Sequence, residues 1–181
     1  LKRIFEADPA NEEVADLYLE ALTSAGREQD ALEVYQKILA ADPAKLDIRD
    51  KLFRLALGQK RFDAAIAEAA ALADAKREQM ELDGGIEVFT VLIEAAPELP
   101  EARLAFAQFC SRAGRAEEGA REFVRYAQLI AASGDRDEAR KALKQAQKLW
   151  PGHEEAQQVL DQLESAPVPS PPPPQEEAEA A

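Results

Sequence analysis

The chain has 181 residues, 46% of them hydrophobic but only 6% aromatic, so much of its apolar content is alanine, which suits helices packed at close range. A formal net charge of −13 and a pI near 4.6 argue against general affinity for nucleic-acid backbones or anionic lipid surfaces and favour basic or apolar partners. One cysteine, Cys110, and one histidine, His153, exclude a disulfide framework and a Cys/His metal cluster within one chain, and no apolar run reaches the ~20 residues that insertion in a bilayer requires.

Residues 1–9 read as the end of a helix closed by Ala7-Asp8-Pro9. The chain opens on Leu1 in mid-helix, so we expect it to be cut from something longer, with cytoplasm as the expected location. A helix over 12–25 places Val14, Leu17, Tyr18, Ala21 and Leu22 on one face. Gly26 then supplies the left-handed cap needed for a tight reversal. The next helix carries Ala31, Leu32, Val34, Tyr35, Ile38 and Leu39 and stops at Ala41-Asp42-Pro43, 34 residues after the first Ala-Asp-Pro.

Residues 12–45 resemble a tetratricopeptide repeat (TPR). The likeness lies in Ala31 at the helix crossing, Tyr35 and Ile38 on the second helix, and the terminal Asp42-Pro43. It departs at Ala15 and Leu19, where the family carries Trp and Gly. The resemblance is to a divergent, bacterial-type TPR-like helical repeat. It implies an all-α, right-handed α-solenoid of antiparallel helix pairs, with about eight helices expected here.

The first helix of the next repeat carries Leu52, Phe53, Leu55 and Ala56, and Lys60-Arg61-Phe62-Asp63 replaces the glycine turn. Helix-compatible sequence then runs from Asp63 to about Gln79, with Asp83-Gly84-Gly85 expected to stop it. Another helix is predicted over 86–96, ending at Pro97. Pro43, Pro97 and Pro151 are evenly spaced at an interval longer than one TPR, so the larger period is three helices. The expected organisation is a repeat fragment at 1–11, a repeat at 12–45, three-helix units at 46–99 and 100–153, and a capping helix at 154–164. Together these make a TPR-like domain over 1–164. In the second unit the predicted helices are 100–113, 117–132 and 136–149. A Pro-rich, acidic segment at 165–181 has too little to bury and is expected to be disordered.

Nothing in the chain assembles catalytic chemistry, and no cofactor or metal motif is present. Cys110 sits on an apolar face with Phe106 and Phe109, His153 follows Pro151-Gly152 at a helix start, and Trp150 is placed to staple the last helices. Asp83-Gly84-Gly85 lacks the lysine and glycine spacing of a phosphate loop. Acidic pairs such as Glu117-Glu118 cluster at helix starts, where the macrodipole favours them. Net charge is −9 over 1–99, +3 over 100–150 and −7 over 151–181, so a locally basic stretch lies between acidic ends.

In TPR proteins the groove is lined mainly by the first helix of each hairpin. The resemblance carries this to Glu13, Asp16 and Glu20; Asp47, Asp50 and Arg54; Glu101, Leu104, Gln108 and Arg112; and Arg121, Val124, Arg125 and Gln128 on a shared helix. The carboxylate clamp that holds chaperone tails needs lysine and asparagine where Asp16, Glu20 and Asp50 stand, so a chaperone-tail adaptor is not expected. The expected function is a non-enzymatic scaffold binding a protein or peptide partner, with no nucleic acid, no direct membrane insertion and no oligomeric state implied. Arg112, Arg121 and Arg125 are expected to receive an acidic or C-terminal segment, or the chain's own Glu176, Glu177 and Glu179. The alternative is a regulatory or targeting arm of a larger enzyme or envelope assembly protein.

Overall fold

The computed structural model describes residues 1–9 and 11–165, and these contain ten α-helices and no strand. They are α1 (Lys2–Ala7), α2 (Glu12–Ser24), α3 (Glu28–Ala41), α4 (Leu46–Gly58), α5 (Phe62–Glu78), α6 (Leu82–Ala95), α7 (Pro100–Arg112), α8 (Ala116–Ala132), α9 (Arg136–Leu149) and α10 (Glu154–Ser165). The count exceeds the eight expected, although both the helix end expected at 1–9 and the capping helix expected at 154–164 are there, as α1 and α10. The Pro-rich, acidic segment lies, from residue 166 on, outside the described residues.

Two kinds of connection alternate. At Pro9, Pro43, Pro97 and Pro151 the preceding residue is the C-cap in extended or non-helical backbone, which proline enforces sterically. The other five reversals are tight turns, each with one residue in the left-handed region: Gly26, Lys60, Met80, Gly114 and Gly134. Their spacing alternates, long from Gly26 to Lys60 and from Met80 to Gly114, short from Lys60 to Met80 and from Gly114 to Gly134. At each, the next residue's N–H reaches back to a carbonyl five residues earlier, as Arg27 N–H does to Leu22 O at 2.8 Å and Glu81 N–H to Lys76 O at 2.9 Å. This closes the helix end as a Schellman cap. The residue five places after each left-handed position is small and buried: Ala31, Ala65, Gly85, Gly119 and Ala139. A small side chain there lets the new helix cross its predecessor closely.

One expectation is corrected by this pattern. Asp83-Gly84-Gly85 does not stop a helix; it forms the first turn of α6, which begins at Leu82 rather than at Ile86. The chain reverses instead at Met80 (φ 67°). Gly85 is there for proximity, since a Cβ on it would stand 2.6 Å from Phe109 Cζ and 3.1 Å from Ala73 O.

The tight turns make α4–α6 and α7–α9 compact triplets. The middle helices α5 and α8 are the longest at 17 residues, and each packs on both neighbours and on the first helix of the following group. Three apolar clusters run along the molecule. The first joins α1 to α4 and includes Phe5, whose ring centroid is 5.7 Å from that of Tyr18. The second joins α4 to α7 around Phe53, Leu72, Phe89 and Phe109. The third joins α7 to α10 around Val124, Leu143 and Leu160, with Trp150 packed against it as expected.

Candidate partner-binding groove

Because α5 reverses at both ends, α4 and α6 run in the same direction on either side of it. They make no substantial contact with each other. The gap between them is a cleft of about 320 Å³ whose floor is Phe53 and Leu72 and whose walls carry Leu46, Asp47, Asp50 and Arg54 from α4 and Gly84, Glu87, Val88 and Val91 from α6. Phe53 and Leu72 are almost fully buried, so the floor is fixed by core packing. Arg54 donates to Asp50 at 2.7 Å, and this hydrogen bond, then the Asp50 charge, raises the guanidinium pKa, with Glu87 adding from the opposite wall. Lys76 lies over Gly84 and reaches Glu81 at 3.4 Å, bounding the cleft at the N-terminal ends of α4 and α6.

The expected groove residues do not all gather here. Asp47, Asp50 and Arg54 line the cleft, and Asp47 also borders a smaller recess with Asp16 from α2, so the α2 and α4 rows are continuous through that aspartate. Glu13 and Glu20 are exposed on α2. Farther along, Arg112 is tied to Asp74 of α5 at 2.9 Å and Arg121 to Glu117 within its own helix. Arg125 is exposed and has no ion-pair partner among the described residues. Gln108 is exposed, while Gln128 lines a separate apolar cleft with Ala131, Ala132, Val159 and Leu163. Val124 is fully buried in the third cluster, a correction to its placement on the groove, and Leu104 packs against the same cluster. Sequence reasoning missed Leu72, Lys76, Glu87, Val88 and Val91. A signal for the wall existed in Val91, an apolar residue at the place that Gln145 takes in α9, one proline-to-proline interval later.

The second triplet carries different side chains at the corresponding places. One such interval after Leu72 stands Tyr126, and one after Asp50 stands Leu104. Tyr126 is 8% exposed. Burial raises its phenol pKa, with the charges of Glu138 of α9 and Glu101 of α7 adding to the effect.

Two half-buried ion pairs recur at matching places in the triplets. Arg49 bonds Glu68 at 2.7 Å between α4 and α5, and Arg103 bonds Glu122 at 2.9 Å between α7 and α8. At the tight turn before α8, an Arg115 hydrogen bond holds the Glu118 carboxyl below its ordinary pKa. Cys110 is fully buried, and desolvation pushes its thiol up to about 12, the opposite of what a nucleophile needs. His153 N–H donates to Trp150 O at the entry to α10. Among the described residues no group of three His, Cys, Asp or Glu side chains could hold a metal ion, and no helix is long and apolar enough to cross a membrane.

The sequence pattern of one family, described as the Bacterial transcriptional activator domain, matches residues 1–55. A comparison with curated proteins gives no match. Among solved structures, YrrB, titled a TPR protein with an unusual peptide-binding site, is 15% identical, covers 88% of this chain and 97% of its own, and superposes with a TM-score of 0.33. MamA is 14% identical over 83% of this chain and 90% of its own, with a TM-score of 0.40. PilF of Pseudomonas aeruginosa is 17% identical over 89% and 86%, with a TM-score of 0.33. The chain is a TPR-like helical repeat by its own helix order, turn spacing and packing, not by these overlays.

Proposed function

We propose that this chain is a non-catalytic scaffold that binds a segment of a partner protein in the groove between α4 and α6. The observation that carries the reading is the contrast between triplets. Where the second triplet carries a buried Tyr126, the first carries Leu72 beneath an open cleft between α4 and α6 that has an apolar floor and a charged rim. An apolar floor supplies burial for a ligand's side chains, and a paired rim such as Asp50–Arg54 supplies direction. Of the residues expected from sequence, Asp47, Asp50 and Arg54 line this groove, and Asp16 borders the adjoining recess.

The decisive variant is Leu72→Tyr, because the second triplet already accommodates tyrosine at the corresponding position. It should fold normally by circular dichroism and fill the groove. Quantitative affinity capture from the native host is the measurement, comparing wild type with Leu72→Tyr. Specific partners should be depleted roughly tenfold or more, a loss of about 1.4 kcal/mol in binding. Undiminished capture by Leu72→Tyr and by a second groove variant, Val91→Arg, would sink the reading.

A further inference from the structure

The outer faces of α6 and α9 carry opposite charge at matching positions. On α6 the buried row is Gly85, Val88, Phe89 and Leu92, and the side turned away from it presents Glu87, Thr90 and Glu94. On α9 the buried row is Ala139, Ala142, Leu143 and Ala146, each one proline-to-proline interval after its counterpart. The side turned away from that row presents Lys141, Lys144 and Lys148. Glu87, Thr90 and Glu94 have thus been replaced, position for position, by three lysines. Lys141 is held by Glu138 at 3.0 Å, whereas Lys144 and Lys148 have no ion-pair partner among the described residues. Residues 136–149 hold five cations and two carboxylates, which accounts for the whole +3 of the stretch 100–150.

We propose that the lysine row on α9 of one copy docks against the acidic row on α6 of a second copy, joining chains head to tail. The two rows share spacing because they occupy matching places in repeated triplets, so each lysine can meet a carboxylate or the Thr90 hydroxyl. The contact also sets the +3 stretch of one copy against the −9 portion of the next. The repulsion expected from the total charge of −13 acts over longer distances, where a Debye length of ~8 Å at physiological salt screens it. A single head-to-tail contact leaves one row free on each copy, so association continues from copy to copy, into a ring or an open chain according to the rotation between copies. Being an exposed charged interface without an apolar anchor, it is weak and salt-sensitive. It uses a face separate from the groove apart from Glu87, which borders both.

Sedimentation equilibrium of the full chain, at about 150 mM and about 1 M salt, tests this. Apparent mass should rise with concentration at low salt and stay at the monomer value at high salt. The variant Lys141→Glu/Lys144→Glu/Lys148→Glu should weaken self-association at least tenfold, and so should Glu87→Lys/Glu94→Lys. Mixing the two variants should restore association, since each then offers the other a complementary row although both remain net negative. Leu72→Tyr, which fills the groove and leaves both rows intact, should associate like wild type. Should the lysine reversal perturb folding by circular dichroism, Lys144→Gln/Lys148→Gln gives the same reading. A wild type that stays monomeric throughout, charge variants that still associate, or a mixture that fails to recover would each overturn the proposal.

Discussion

Met80 and Gly85 show how one residue type can be misread along a chain. Glycine next to aspartate suggests a stop, yet the left-handed backbone falls on Met80, a residue that is 90% exposed. A methionine there pays a steric cost that glycine would not. Met80→Gly should therefore raise stability by about 0.5–1 kcal/mol, read as a higher midpoint in urea at unchanged slope. Gly85→Ala should do the reverse. Its new methyl group would meet Phe109, which is fully buried, and the carbonyl of Ala73, which cannot rotate away. A loss of about 1–3 kcal/mol is expected. The sequence alone could not separate these two uses of glycine, because proximity to Phe109 depends on a residue in the next helix along the chain.

At the scale of elements, most helices were legible because periodicity and proline punctuation are local. The predicted helix over 12–25 matches α2 (Glu12–Ser24), and that over 136–149 matches α9 (Arg136–Leu149). The groove was less legible. The α4 residues were found through the family likeness, but Glu87, Val88 and Val91 lie on a third helix that a two-helix repeat does not anticipate. The Arg49–Glu68 and Arg103–Glu122 pairs were also invisible, being interhelical contacts 19 residues apart. In the TPR register Arg49 and Glu68 replace Ala15 and Val34, both buried in the α2–α3 hairpin. The ion pair is thus one of two solutions to the same crossing. Glu122→Ala should cost about 1–3 kcal/mol by leaving Arg103 half-buried without its carboxylate, below the range for a fully buried pair because some solvent still reaches the site. The double variant Arg103→Ala/Glu122→Val copies the first hairpin. It should recover part of that loss, with the coupling read from a double-mutant cycle of urea midpoints.

At the scale of the whole molecule, stability depends on how far each group of helices leans on the next. A stack whose groups touch only their neighbours unfolds as one unit while its interfaces are strong and separates into stages when one is weakened. The junction between the two triplets is built around Phe89, Phe106 and Phe109. The Phe89 and Phe106 rings stack with centroids 5.2 Å apart, and those of Phe89 and Phe109 lie 5.4 Å apart. Of the two α7 rings, Phe109 is fully buried and packs both against Phe89 and over Gly85, so it ties α7 to α6 at two places. Phe109→Ala should cost about 3–5 kcal/mol, from lost burial and from the cavity left beneath Gly85. Its second consequence distinguishes a junction from an ordinary core site. Because the α8–α10 side keeps its own cluster around Leu143 and Leu160, the two sides should no longer melt together. Urea unfolding of wild type is expected as one transition, whereas Phe109→Ala should show a lower apparent slope or two resolved steps. Leu143→Ala, a truncation of similar burial inside the second triplet, should lower the midpoint without splitting the transition. A single, equally steep transition for Phe109→Ala would mean that the two triplets are coupled through more than this aromatic junction.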